Sequence, residues 1–74
     1  MTGTIGALSR LLGAKPGPYA APAVHVAWLF EKSLVLRQIV RDSTDPDDAE
    51  DAYRQAITAE LAAERIARRA GGIR

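Results

Sequence analysis

The chain has 74 residues, a formal net charge of +1, 47% hydrophobic and 26% charged residues, and no cysteine. That leaves room for one small domain and excludes disulfides and thiolate metal sites; the composition is too apolar for a fully disordered chain and too polar for a membrane protein. A domain this short buries only roughly 60% of the surface its unfolded chain exposes, so the expected staple is association, with itself or with a larger partner.

Residues 1–22 read as an N-terminal arm. Gly3, Gly6, Gly13 and Arg10 interrupt the opening where a secretory signal needs a continuous apolar stretch, so no signal peptide is expected. Ile5, Leu8 and Leu12 recur at helical spacing and leave room for a short amphipathic helix closed by Gly13. About two turns of helix cannot stand alone. Pro16, Gly17, Pro18 and Pro22 then remove backbone donors and push their predecessors toward extended geometry. The expectation is an extended Pro/Gly arm, loose in isolation and ordered only where it docks.

Residues 23–41 are the most hydrophobic segment. On a helix, Val24, Trp28, Val35 and Ile39 share one face, Leu29, Leu36 and Val40 a second, and Ala27, Phe30 and Leu34 a third. A helix this apolar on several sides is expected to be covered on several sides. The rival is a β-hairpin of Val24 to Phe30 and Leu34 to Val40, but Glu31-Lys32-Ser33 supplies no Gly, Asn or Asp for its turn. The longest apolar run, Ala23 to Phe30, is broken by His25 and far short of the ~20 residues that span a bilayer. His25 has no ligand-type neighbours and reads as a capping or surface residue.

After the break at Asp42-Ser-Thr-Asp45, residues 46–70 predict a second helix, about 37 Å long at 1.5 Å per residue. Asp45 is the expected N-cap, Pro46 the first helical residue and Asp48 an acid in the positive first turn. Ala, Leu, Glu, Arg and Gln fill the interior. Arg65, Arg68 and Arg69 face the negative end, and Gly71-Gly72 offers a left-handed cap. The predicted fold is therefore all-α: a two-helix antiparallel hairpin, about 23–41 and 46–70, within a unit spanning 23–74 and preceded by the arm.

Three constellations bear on function. Ala49, Ala52, Ala56, Ala59, Ala63, Ile66 and Ala70 alternate three- and four-residue steps, a seam of small side chains that lets another helix approach closely, whether from the same chain or another. Tyr53, Ile57 and Leu61 widen its apolar arc and read as core. Trp28 and Phe30 serve equally as interface anchors or as the centre of a small core. The expected interface set is Trp28, Phe30, Leu34, Ala56, Ala59, Ala63 and Ile66.

Glu60 and Glu64 fall among Ala49, Tyr53, Ile57 and Ala67 on the helical projection, where desolvated carboxylates need cationic partners. Arg37 and Arg41 are the first candidates, with Lys32, His25, Arg68 at i+4 of Glu64 or an arginine of another chain as alternatives. A carboxylate metal or acid-base site at Glu60 and Glu64 lacks the Glu-x-x-His element of helix-bundle di-metal sites and a pocket. Asp42, Asp45, Asp47, Asp48, Glu50 and Asp51 make the elbow acidic, and Arg65, Arg68, Arg69 and Arg74 make the C-terminus basic. A nucleic-acid-associated regulator using those arginines is the alternative reading, opposed by the acidic elbow and near-zero net charge.

The expected function is a non-enzymatic protein–protein interaction module: a small subunit or assembly factor docking on itself as a homo-oligomer, or on a larger protein complex. No catalytic, cofactor or metal set is expected and no membrane span. The expected setting is cytoplasmic, or part of a virus particle.

Overall fold

The computed structural model describes the backbone of residues 3–71 and the side chains of residues 6–71. Ile5, Gly72 and Arg74 therefore lie outside the described side chains. The chain is all-helical: α1 (Gly3–Gly13), α2 (Pro22–Asp42) and α3 (Pro46–Arg69), with no strand among the described residues. The β-hairpin alternative for residues 24–40 is thus replaced by one continuous helix, as expected where the turn lacks a residue suited to positive φ.

Both long helices begin on proline. Ala21 is extended (φ −61°, ψ 149°) and leads into Pro22, where the missing N–H is one that the first turn leaves unbonded anyway. Asp45 is likewise extended (φ −103°, ψ 119°), and its carboxylate accepts from the Asp47 N–H at 3.0 Å. Caps of this kind are worth about 1 kcal/mol. The two-way bonding of the Ser43 hydroxyl with the Asp45 backbone, at 3.1 and 3.3 Å, folds the elbow between α2 and α3. At the far end the Ala70 N–H donates to the Ile66 carbonyl at 2.9 Å and Gly71 takes the left-handed conformation, φ 78°. That is the glycine cap anticipated from the sequence.

α2 and α3 pack antiparallel. Pro22 lies beside Ile66 and Ala70, Leu29 beside Ala59 and Ala62, and Leu36 clusters with Ala52 and Ala56, with Ile39 and Val40 against that cluster. The buried apolar residues are Leu11, Leu36, Ala52, Ala56, Ala59 and Ala63, and Ser33 is the buried polar residue. Ser33 and the alanines keep the contact surfaces of both helices small. The Ser33 hydroxyl donates to the Phe30 carbonyl at 3.0 Å, the local back-bond that lets serine sit inside a helix.

The N-terminal arm is more ordered than its glycines and prolines imply. α1 packs on the Val24, Trp28, Val35 stripe of α2, with Leu11 buried there. The Trp28 indole N–H donates to the Leu11 carbonyl at 2.7 Å. That carbonyl belongs to the last turn of α1, where the helix offers few internal donors. Extended geometry is confined to the linker, residues 14–21, which itself contains a turn closed by the Ala20 N–H to the Gly17 carbonyl at 3.1 Å.

The radius of gyration is 13.3 Å, above the roughly 11 Å of a compact domain of this length. The molecule is a slab of 41 × 21 × 15 Å. α1 and α3 flank α2, and little is enclosed between them.

Candidate functional site

The three apolar stripes of α2 have three different fates. Of the first stripe, Val24, Trp28 and Val35 turn toward α1 while Ile39 packs with Leu36 at the α3 contact, and Leu29, Leu36 and Val40 turn toward α3. The third, Ala27, Phe30 and Leu34, is exposed. On the adjoining flank of α3, Tyr53 is exposed as well; together Phe30, Leu34 and Tyr53 keep between 42% and 65% of their surface open, while Leu61, 51% exposed, lies on the side of α3 turned away from α2. Tyr53 and Leu61 are therefore not core in the single chain, because α2 meets α3 along the alanines, leaving Tyr53 at the edge of the contact and Leu61 on the far side of α3. The other large exposed apolar side chains among the described residues, Leu12, Tyr19 and Val24, lie on α1, the linker and the start of α2.

The remaining expected interface residues are placed differently. Ala56, Ala59 and Ala63 are covered by α2 of the same chain, Ile66 is half-buried beside Pro22, and Trp28 is half-buried against α1. Phe30 and Leu34 alone of that set share one open face. Tyr53 joins them there, beside Arg37, and the sequence signal for it was its place beside the alanine seam.

An ion pair sits in the middle of this face. Arg37 Nε donates to Glu60 Oε2 at 2.8 Å and Arg37 Nη2 to Glu60 Oε1 at 2.9 Å, a two-pronged fork. The guanidinium also stands 5.6 Å from the Tyr53 ring centroid. Arg37 is close to the elbow and Glu60 well beyond it, yet they meet. Helical side chains lean toward their own N-terminus, so in an antiparallel pair these two lean toward each other. Glu64 is 3.8 Å from Arg68 in its own helix, and Glu50 3.1 Å from Arg54. Exposed i,i+4 pairs of this kind contribute little to stability.

The Arg37 fork holds the Glu60 carboxyl below the ordinary glutamate value of 4.5; partial burial opposes it and the Ser33 hydroxyl assists. A depressed carboxylate contributes stability that is complete above the ordinary value and disappears as the pH falls through the lowered one. Urea unfolding of the native chain and of Glu60→Gln across pH 7 to 3 is expected to give a difference that is constant at the upper end and shrinks below pH 4.5. Equal acid sensitivity in the two proteins would show that the fork does not form.

A cleft of about 900 Å³ opens on the other side of the hairpin near the elbow, floored by Leu8, Leu36, Ile39 and Ala52 and rimmed by Asp42, Asp45, Asp48 and Asp51. Several of its acids already have structural work. Asp45 caps α3, Asp51 accepts from Gln55 at 3.0 Å and Asp42 from Gln38 at 3.1 Å. Among the described residues no three His, Cys, Asp or Glu side chains are grouped to hold a metal ion. Glu60 is engaged by Arg37 and does not pair with Glu64 into a carboxylate site. Arg65, Arg68 and Arg69 are exposed at the opposite end of α3 from the acidic elbow.

No protein-family model, curated protein or solved structure matches the chain. No helix among the described residues is long and apolar enough to cross a membrane.

Proposed function

We propose that the chain is a non-enzymatic interaction module, a small subunit or assembly factor built as a helical hairpin that presents the face of Phe30, Leu34 and Tyr53 to another protein. The observation that supports this is the inversion of bulk between core and surface. Four alanines form most of the buried apolar set, while Phe30, Leu34 and Tyr53 stay open together on one side. A buried methyl-sized group contributes about 0.8 kcal/mol and a fully buried large apolar side chain about 1.5–3 kcal/mol. Much of the available hydrophobic stabilisation therefore becomes accessible only when a partner covers the open face, and contiguous apolar surface with aromatic anchors is what protein interfaces use.

A photo-crosslinking phenylalanine analogue placed at Leu34 or Tyr53, in the chain expressed in its own cells, is expected to give discrete protein adducts. The same probe at Gln55, exposed on the opposite flank of α3, should give none. Equal labelling from all three positions, or none from Leu34 and Tyr53, would remove the reading.

A further inference from the structure

We infer that α1 is a releasable cover, held over a groove of α2 that takes an amphipathic helix from another protein. The groove is the stripe of Val24, Trp28 and Val35, so the inference stands apart from the face of Phe30, Leu34 and Tyr53.

α1 fills this groove incompletely. Open space of about 640 Å³ remains beside it, walled by Val24, Trp28 and Val35 on α2 and by Ala7, Leu11 and Ala14 on the other side. Trp28 is only half-buried and Val24 is 50% exposed, although α1 lies against both. The cause is in α1 itself. One helical turn to either side of the buried Leu11 it offers only the methyl groups of Ala7 and Ala14. Leucine-sized side chains at those two places cover more of the same wall, and the hydrophobic gain follows the apolar area removed from water. A helix that carries them occupies the groove better than α1 does.

α1 is also held weakly. Among the described residues a single hydrogen bond joins it to α2, from the Trp28 indole N–H to the Leu11 carbonyl. It packs on α2 alone, so its departure leaves the α2–α3 contact whole. Gly6 weakens the helix without serving its packing: a Cβ there would meet the tip of Arg10 at 3.9 Å and nothing of α2 within 4 Å. An interior glycine lowers a helical equilibrium roughly four- to fivefold relative to alanine.

The occupant is therefore an amphipathic helix of about three turns with large apolar side chains matching Ala7, Leu11 and Ala14, whose last-turn carbonyl accepts from the Trp28 indole. Arg10 and Glu31 share the rim of the groove, so a basic residue beside Glu31 suits the same helix. The α1 of a second copy carries the same two alanines and gains nothing over the resident one.

The probe is a fluorescein-labelled peptide of residues 3–16 carrying Ala7→Leu and Ala14→Leu, added to the complete chain. Fluorescence anisotropy is expected to show saturable binding, tighter than that of the unsubstituted peptide. Hydrogen exchange of the complex should show the α1 amides of the chain losing protection while the centre of α3 keeps it. Apparent affinity scales with the fraction of chains whose groove is open. Gly6→Ala in the chain should therefore weaken peptide binding about fourfold, and Leu11→Asp should strengthen it. Since Gly6→Ala strengthens α1, that comparison is free of any loss of helix. Absence of binding to the Leu11→Asp chain at millimolar peptide would overturn the inference. So would equal affinity for the native, Gly6→Ala and Leu11→Asp chains, or binding that leaves the protection of α1 unchanged.

Discussion

Ala56→Leu and Ala63→Leu should each lower the unfolding free energy by about 1–3 kcal/mol, the cost of forcing extra methylenes into a packed contact. For a domain of this length that corresponds to a fall in Tm of roughly 4–8 °C per kcal/mol. Both alanines have 0% of their surface exposed, and the opposing helix contributes Ser33, itself only 2% exposed. A leucine can be seated only by moving α3 away from α2. That displacement also pulls Glu60 from Arg37, whose fork at 2.8 and 2.9 Å depends on the same separation. Thr58→Leu adds bulk on the exposed side of α3 and should stay within about 0.5 kcal/mol of the native chain. Thermal unfolding by circular dichroism at one fixed protein concentration makes the comparison, because association contributes to apparent stability. Neutral or stabilising leucines would mean that the alanine seam is not a close helix contact.

The second large effect is expected at Trp28. Trp28→Ala removes the aromatic body against α1 and the donor to the Leu11 carbonyl together. Large-to-small changes at buried aromatics cost about 3–5 kcal/mol, and a half-buried position belongs at or below the lower end. Trp28→Phe keeps most of the apolar surface and deletes the N–H; because the Leu11 carbonyl still accepts from the Ala14 N–H at 3.1 Å, the cost should be that of one hydrogen bond, about 0.5–1.5 kcal/mol. The loss is expected to be local. An eleven-residue helix is too short to persist without packing, so its amides should exchange at nearly unfolded rates in Trp28→Ala while the centre of α3 stays protected. Unchanged protection in α1 would show that another contact anchors it. Lys32, whose ammonium lies 5.3 Å from the Trp28 ring centroid, loses its aromatic neighbour in the same variant and offers a second local readout.

α3 could be read in detail from the sequence because its information is local. Asp45, Pro46, the run of helix formers and Gly71 each act on their own few residues, and cap, first turn and left-handed end appear where those residues stand. α2 was harder because Val24, Val26, Val35, Ile39 and Val40 suit a strand as well as a helix. Its three-sided apolar pattern correctly announced several neighbours but could not say which stripe each would cover. α1 depended on a contact seventeen residues away, the Trp28 indole on Leu11, which no spacing within residues 1–22 encodes. The pairing of Glu60 was narrowed to Arg37 or Arg41 on charge alone. Its choice of Arg37 came from the lean of two side chains across an antiparallel contact. The expectation of Tyr53 and Leu61 as core failed in two ways: Leu61 stands across α3 from the alanine seam that faces α2, and Tyr53 borders the seam but a helical projection gives direction, not the distance to the neighbouring helix. With alanines setting that distance, the Tyr53 flank is left open.

The linker of residues 14–21, with Pro16 and Pro18 in it, has a further effect on α1. It keeps the first helix within a few nanometres of its groove, and short tethers of this kind hold their ends at effective concentrations in the millimolar range. At an effective concentration of about 1 mM, docking is about nine-tenths complete for a helix that would bind as a separate piece with a Kd of about 0.1 mM. A single proteolytic cut near Gly17 therefore turns an intramolecular contact into a bimolecular one. At micromolar protein the N-terminal fragment leaves, uncovering Trp28 and the Val24 stripe while the α2–α3 hairpin keeps all its own contacts.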